Sequence, residues 1–234
     1  IFYPELPALV VRPSNGGVSR TVILPGELGY DSGRALFHGQ TSVGIACASC
    51  HPEGRDDGLV WKFNAGIGTR RTQSLAGNIL ERGPYHWVGD MTDLGMLMDD
   101  VFANRMAGGK VSRSQKLSLG PWLNRVPAPT AAAPTDVDAV ARGKALFDSA
   151  EAACTTCHNG ALFTNNQLTN VGTGGSFKVP SLVGVAARAP FMHNGCAATL
   201  RDRFTSCGGG DIHGRTSQMT PVQIDDLVAY LESL

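Results

Sequence analysis

GIACASCHPEG, residues 44–54, and EAACTTCHNGA, residues 151–161, each hold two cysteines separated by two residues, with a histidine directly after the second. These two copies use four of the six cysteines in the chain. A CxxC pair alone fits a redox disulfide, half of a zinc site or a haem attachment, and the histidine favours the last. In that interpretation the two thiols form thioethers with the haem vinyl groups, and the adjacent imidazole ligates the iron.

The sequence therefore predicts two covalently bound haem c groups. The predicted attachment residues are Cys47, Cys50 and His51 in the first motif and Cys154, Cys157 and His158 in the second. A four-cysteine zinc site is the main alternative. Zinc needs no histidine directly after each pair, and the pairs are more than a hundred residues apart in the chain.

The two remaining cysteines, Cys196 and Cys207, have no CxxCH context. Haem c is attached outside the cytoplasm, where disulfides persist, so we expect them to form a disulfide. Two free thiols are the alternative. The same argument predicts an exported protein, in the periplasm or at the cell surface.

The composition of the chain limits the kinds of partner that it is expected to bind. The chain has 234 residues, 42% of them apolar, and Lys plus Arg equals Asp plus Glu. A formal charge of zero gives no support for nucleic acid or an anionic membrane as a partner. No apolar run approaches the roughly 20 residues of a membrane span. The N-terminus lacks an initiator Met and the order of a signal peptide, so we expect a mature or excised product.

The chain contains an internal repeat. SGRALFHG (32–39) precedes the first CxxCH, and ARGKALFDS (141–149) precedes the second. PYHWVG (84–89) matches PFMHNG (190–195). The Pro- and Ala-rich stretch between the copies is typical of a linker. The predicted organisation is an N-terminal extension, 1–19, a first haem domain, 20–125, a linker, 126–135, and a second haem domain, 136–234.

Helical patterns open and close each half. DVDAVARGKALFD (136–148) has apolar residues at helical spacing after an Asp, and TPVQIDDLVAYLESL (220–234) begins with a capping box. SRSQKLSLGPWLNRV (112–126) is a weaker equivalent in the first half. No alternating strand pattern stands out. The predicted fold class is all-α, with two tandem cytochrome c-like domains and long irregular Gly-rich loops.

Together these features resemble the bacterial di-haem cytochrome c peroxidase superfamily, which includes the MauG-type enzymes. The resemblance covers most of residues 28–234 and is carried by both CxxCH motifs, RRTQSL (70–75), HWVGDMTDL (86–94) and the segment 177–200. It implies two cytochrome c-like domains facing one another. It also implies that hydrogen peroxide is reduced at one haem while the other accepts electrons from a small donor protein.

Trp87 stands where this superfamily has a tryptophan between its two haems, which implies a role in electron transfer. A Trp that only packs the domain interface is the alternative. Two other functions stay open. One is an electron-transfer cytochrome with both irons six-coordinate, favoured because a distal His and a distal Glu of the superfamily are missing from the first half. The other is a MauG-like protein oxidase.

The sixth ligand of each iron decides between these functions. Met106, in NRMAGG, occupies the region where a residue on the distal face of the first haem is expected; His86 is a weaker candidate. In the second half, His213 lies in the Gly-rich loop GGGDIHG and is the favoured ligand. Met192 and Met219 are its rivals.

The resemblance also implies a calcium ion between the domains, held partly by an Asn side chain. The matching position here is Arg70, which argues against calcium. Arg70 and Arg71 could instead pair with haem propionates, because guanidinium groups suit carboxylates. The alternative is that both side chains lie in solvent.

Overall fold

The computed structural model describes residues 2–3, 8–25, 31–64, 66–208 and 210–234. Parts of the predicted extension and of both predicted domains therefore lie outside the described residues, namely 1, 4–7, 26–30, 65 and 209. The α-helices of the described part are α1 (Ser32–His38), α2 (Leu94–Leu97), α3 (Arg113–Asn124), α4 (Val137–Asp148), α5 (Leu200–Thr205) and α6 (Pro221–Glu232).

Three small antiparallel sheets accompany the helices, so the all-α prediction was wrong. The strands are β1 (Phe2–Tyr3), β2 (Ala8–Val11), β3 (Arg20–Ile23), β4 (Val60–Phe63), β5 (Gly68–Arg71), β6 (Leu168–Asn170) and β7 (Ser176–Lys178). In the first sheet the strand order is β1-β2-β3, and the other two sheets are the hairpins β4-β5 and β6-β7.

The length and exposure of the strands explain the error. Each strand has at most four residues, which is too short for an alternating pattern to stand out. β3 and β4 are exposed at all four positions, so neither has one buried face and one exposed face. The Gly-rich loops after the two CxxCH motifs fold back as the β4-β5 and β6-β7 hairpins, with Gly66 and Gly174 at positive φ in their turns.

The predicted opening and closing helices are confirmed in the second half. α4 begins after Asp136, whose side chain accepts a hydrogen bond from the Ala139 N–H. α6 begins with the capping box of Thr220 and Gln223. In the first half, α3 has the same capping box and α1 is the opening helix. Each pair of helices packs together, α1 on α3 and α4 on α6.

A glycine lets each pair of helices approach closely. A Cβ atom on Gly33 of α1 would collide with the backbone of Ser118 in α3. A Cβ on Gly143 of α4 would collide with the backbone of Asp226 in α6. The repeat detected in the sequence therefore corresponds to one helix crossing built twice.

Each helix pair has its own hydrophobic core. Phe37, Met98 and Leu119 are among the most deeply buried residues of the first core, and Phe147 and Leu227 of the second. The first core takes its residues from the first half of the chain and the second core from the second half. The predicted domain boundaries stay a prediction.

The predicted disulfide between Cys196 and Cys207 is confirmed, with Cα atoms 5.6 Å apart. It joins the loop before α5 to the residues after it. None of the helices in the described residues is long and apolar enough to cross a bilayer.

Candidate haem sites and the interface between them

Both CxxCH motifs form the same short turn. The first three residues make a 3₁₀ helix, Cys47–Ser49 in one copy and Cys154–Thr156 in the other. The histidine N–H then donates to the carbonyl of the first cysteine at 3.0 Å in each copy. Each copy of the motif thus places two thiols and one imidazole on a single turn.

Each motif histidine is oriented through its Nδ1 atom. His51 Nδ1 lies 3.2 Å from the carbonyl oxygen of Arg55, and His158 Nδ1 lies 3.0 Å from that of Phe163. A carbonyl can only accept, so each Nδ1 carries the proton and each Nε2 keeps a free lone pair. Burial also lowers the pKa of both imidazoles, which favours the neutral form that a metal requires.

The four motif cysteines are free thiols. Burial raises the pKa of the Cys47 thiol to about 11 and also raises that of Cys154. Cys47 packs against the first core and Cys154 against the second, so the two pairs do not form a four-cysteine zinc site. Free, protonated thiols beside an oriented imidazole are the groups that thioether attachment of haem needs.

The structure brings His213 and His158 together. Their ring centroids are 6.3 Å apart with an interplanar angle of 29°. Two imidazoles that ligate one metal ion from opposite sides, with metal–nitrogen bonds of about 2.0 Å, have centroids about 6.2 Å apart. His213 Nδ1 is buried without a hydrogen-bond partner. Burial and then the positive charge of Arg203 lower the pKa of His213 to about 3, so its imidazole is neutral.

Three contacts hold the His213 loop over the second motif. The Arg203 side chain donates to the His213 carbonyl, and the Arg215 N–H donates to the Ala152 carbonyl at 2.9 Å. The Asp211 carboxylate accepts two backbone N–H bonds at 2.9 Å and a serine hydroxyl bond at 2.6 Å within the loop. The loop that carries His213 is therefore tied both to α5 and to Ala152, two residues before Cys154.

Met106 follows an unusual helical segment. Met98–Arg105 is a π-helix, a form found mostly as single turns near functional sites. The Met106 N–H closes it by donating to the Val101 carbonyl at 2.9 Å. Met106 packs against the first core, as Cys47 does. The Ser42 hydroxyl donates to the next carbonyl, that of Ala107, at 3.0 Å, and so ties this loop to the segment before the first motif.

The rival ligands differ in their surroundings. His86 is one-third exposed, and its Nδ1 lies 2.8 Å from Asp90 Oδ1. Met192 occupies the position that matches His86 in the repeat, and both have positive φ. Met219 packs against the second core and remains a rival to His213.

Trp87 lies where the two halves meet. Its indole Nε1 donates to the Arg71 carbonyl at 2.8 Å, and its ring centroid is 6.3 Å from that of His193. His193 in turn stacks on Phe177 at 3.7 Å. Trp87 and His193 hold matching positions in the PYHWVG and PFMHNG copies, so each half contributes one ring to this contact.

The two arginines predicted to bind propionates have different surroundings. Arg70 lies over the Phe177 ring at 5.4 Å from its centroid. Arg71 is buried, and its Nη2 lies 2.8 Å from Asp56 Oδ1, a contact between two side chains that are less than a tenth exposed. Arg70 is thus partly solvated, whereas Arg71 belongs to the interior of the interface.

Sequence reasoning missed three cations beside Arg71, namely Arg82, Lys178 and Arg188. Arg82 and Lys178 are less than a tenth exposed. A signal was present, because Arg82 and Arg188 hold matching places two residues before the repeated proline. Nothing in the sequence indicated that these side chains are buried together.

Comparison with known proteins agrees with the motifs. The cytochrome c family matches residues 140–234. The cytochrome-c peroxidase IdrP1 of Denitromonas iodatirespirans is 28% identical, over 40% of this chain and 39% of the relative. These matches support the predicted resemblance to the di-haem cytochrome c peroxidase and MauG superfamily. Haem c is accordingly the cofactor of the chain.

Solved structures share the fold. Kuenenia stuttgartiensis hydrazine synthase aligns with a TM-score of 0.77 and 21% identity, over 86% of each chain. A MauG-like protein associated with microbial copper homeostasis gives 0.65 and 21%, also over 86% of each. The diheme peroxidase BthA of Burkholderia thailandensis gives 0.62 and 16%, over 86% of this chain and 84% of that one. At these identities the likeness concerns the fold alone.

A second curated relative is the gamma subunit of hydrazine synthase from Kuenenia stuttgartiensis, 26% identical over 42% of this chain. The chain spans about two fifths of the length of both curated relatives, 39% of one and 41% of the other.

Proposed function

We propose that the chain is a di-haem c-type cytochrome that carries electrons between two covalently bound haems and reduces hydrogen peroxide at the first. The observation that carries this proposal is the duplicated CxxCH turn, in which both motif histidines have Nδ1 fixed by a backbone carbonyl. A motif that occurred by chance would not be expected to repeat this orientation.

The haem, when bound, supplies an iron that exchanges single electrons and binds peroxide if its sixth position is open. His51 and His158 would hold the two irons through Nε2, and the four motif cysteines would form the thioethers. His213 would close the second site, which would then serve electron transfer. Two observations support this assignment of His213, namely its ring distance from His158 and the hydrogen bond of Arg203 to its carbonyl.

Met106 would cover the first haem, and its side chain would have to move aside for peroxide to bind there. Reduction of peroxide to two waters takes two electrons and two protons. The electrons come from a small donor protein through the second site, and Trp87 and His193 lie on the path between the halves. A cytochrome-c peroxidase among the relatives supports peroxide as the substrate.

An electron-transfer cytochrome with both irons closed is the second candidate. It is favoured by the loop after the first motif, residues 52–69, which has no histidine to act on peroxide as acid or base. In this case Met106 stays bound in every redox state, and the second site exchanges electrons with one partner and the first with another.

The export of the protein to the periplasm or cell surface is part of the proposal. Haem c attachment and the disulfide between Cys196 and Cys207 both belong to an oxidising compartment. Fractionation of the native host, with immunodetection of the chain, tests this point, and a cytoplasmic signal would contradict it.

Mass spectrometry after acid–acetone extraction tests the cofactor count, with two retained haem additions expected. Electron paramagnetic resonance of the ferric protein, with and without cyanide or peroxide, then separates the two candidates. A signal of the first haem that either reagent alters supports the peroxidase. Two low-spin signals that neither reagent alters support the electron-transfer cytochrome instead.

A further inference from the structure

Four cationic side chains meet inside the interface between the two halves. Three of them are less than a tenth exposed and the fourth is partly buried. We call Arg71, Arg82, Lys178 and Arg188 the interface cations.

Backbone contacts fix the interface cations in place. The Arg71 N–H donates to the His193 carbonyl at 2.8 Å, and Arg71 Nη2 lies 3.4 Å from the Ala189 carbonyl, next to Arg188. Lys178 Nζ donates to the carbonyl of Arg82. All three of these contacts cross between the halves, and each joins one interface cation to backbone at or near another part of the cluster.

The positive charge of this cluster is largely uncompensated. Among the described residues, Asp56 is the one carboxylate in ion-pair contact with any interface cation, through Arg71. The other hydrogen-bond acceptors are backbone carbonyls, such as that of Ser181 for Arg188, and these carry no net charge. The Nε atoms of Arg71 and Arg82 are buried without a partner. Burial without a counter-ion costs several kcal/mol per ion, so the cluster is built to receive anions.

The mutual repulsion of these groups shows in their pKa values. Burial and then the charge of Arg82 lower the pKa of Lys178 to about 8. Burial lowers the pKa of Arg82 to about 10, and burial with Arg82 and Arg71 lowers that of Arg188 to about 10. An anion in the cluster would reverse these shifts.

The cluster is close enough to both motifs to act electrostatically on their histidines. Asp56, the partner of Arg71, interacts electrostatically with His51, and Arg188 interacts with His158. The nearest large anionic groups that the proposed function supplies at this position are the carboxylates of the haems.

We propose that the interface cations bind the propionate carboxylates of both haems and so take the place of a calcium ion between the halves. This inference rests on the proposed presence of two haems. Two haems carry four carboxylates, which matches four cations better than the single carboxylate of Asp56 does. A calcium ion would add positive charge beside cations that already lack counter-ions, so this interface does not fit one.

Infrared spectroscopy of protein grown with 5-aminolevulinate carrying ¹³C in its carboxyl group reads the haem carboxylates directly. In the unaltered protein the labelled groups should stay ionised to below about pH 4, because neighbouring cations lower a carboxyl pKa. In Lys178→Met and in Arg188→Gln, the labelled carboxyls should protonate about one pH unit higher or more. Two variants are used so that one that fails to mature does not end the test.

Charge-matched variants serve as controls. Lys178→Arg keeps the charge and should leave the titration of the label near its original position. Lys110→Met removes an exposed charge from the same protein and should also leave it unchanged. Mass spectrometry of each sample counts the haems first, so a missing haem would contradict the proposed function rather than this inference.

Three results would overturn the proposal. The first is an unchanged label titration in both Lys178→Met and Arg188→Gln. The second is a label titration that depends on added phosphate or chloride, which would show that the cluster binds an anion from solution. The third is a shifted label titration or a lower Tm after treatment with a calcium chelator, which would show that a metal ion holds the interface.

Discussion

At the scale of single residues, the two motif histidines and His213 differ in what their Nδ1 atoms contact. His51 and His158 each have a backbone carbonyl within hydrogen-bond distance, whereas the buried His213 Nδ1 has no partner. A histidine with its Nδ1 proton fixed ligates through Nε2 in a defined orientation. His213 is positioned instead by its loop, through the contacts of Arg203 and Asp211.

The first prediction concerns His213→Ala. Losing this imidazole should open the second iron or admit water, so the low-spin signal of that haem should fall. Its potential should shift while that of the first haem stays unchanged, because imidazole favours ferric iron more than a thioether does. Paramagnetic resonance and a spectroscopic redox titration measure the two effects.

His38→Ala is the matched control, since His38 bonds to Glu53 and to the Arg34 carbonyl in the first half. It should leave both haem signals intact. If His213→Ala leaves the spectrum unchanged as well, His213 is not the ligand, and Met219 or Met192 becomes the next candidate.

The second prediction concerns Met106→Ala. If Met106 ligates the first iron, this variant should turn the first haem high-spin and raise peroxide turnover. If Met106 only packs, the spectrum should stay as it is, and the new cavity should lower the free energy of unfolding by about 2–4 kcal/mol. Spin state and turnover are measured on the same preparation.

Met98→Ala provides the comparison for packing, because Met98 is fully buried in the same core. It should lower stability without changing the spin state of either haem. A Met106→Ala protein that behaves like Met98→Ala in both measurements would remove Met106 as a ligand.

At the scale of elements, the helices could be predicted and the hairpins could not. The patterns that begin α4 and α6 are local, a capping side chain followed by apolar residues at helical spacing, so they can be read along the chain. The strands β4 and β6 are short, and their place depends on the turn and the partner strand rather than on their own pattern. The π-helix Met98–Arg105 also had no visible signal, because its apolar spacing resembles that of an ordinary helix.

The third prediction concerns the contact between α4 and α6. The buried Asp226 carboxylate accepts two hydrogen bonds of 2.8 Å from the Arg142 guanidinium. These hydrogen bonds are the main reason that the pKa of Asp226 lies below the usual 3.8. Asp226→Asn should lower the Tm at pH 7 by about 2–4 °C. Thermal unfolding followed by circular dichroism measures it.

The pH dependence gives this prediction its sign. A carboxyl with a lowered folded-state pKa stabilises the fold above its unfolded value of 3.8, and the contribution is lost as the pH falls through the folded value. The Tm difference between the two proteins should therefore be constant above about pH 5 and shrink below about pH 4. The control is Asp225→Asn, which changes the neighbouring, exposed aspartate of α6 in the same way. A Tm difference that grew on acidification would contradict the assignment.

At the scale of the whole molecule, the two halves meet through reciprocal hydrogen bonds. The Arg71 N–H donates to the His193 carbonyl, and the Lys178 N–H donates to the Trp87 carbonyl, both at 2.8 Å. Arg71 matches Lys178 in the repeat, and Trp87 matches His193, so the interface has an approximate twofold relation. Such a relation follows from a duplicated domain that packs against its own copy.

The sequence predicted the parts of the sites that lie within one motif, such as Cys47, Cys50 and His51. It did not predict the groups that the two halves bring together, the stacked His193 and the buried Lys178 among them. Those depend on how one half docks on the other, which no local pattern encodes.

The last prediction concerns electron transfer between the halves. Trp87→Phe keeps an aromatic ring but removes the donor to the Arg71 carbonyl and the larger surface beside His193. Electron transfer from the second haem to the first should slow by about tenfold, or about 1.4 kcal/mol of barrier. Both potentials should stay unchanged, since no iron ligand is altered. Rapid-mixing spectroscopy after partial reduction measures the rate, and Trp122→Phe, in the first core, is the control. An unchanged rate in a folded Trp87→Phe protein would leave Trp87 as a packing residue, whereas a slower rate with shifted potentials would point to a disturbed haem site rather than a lost path.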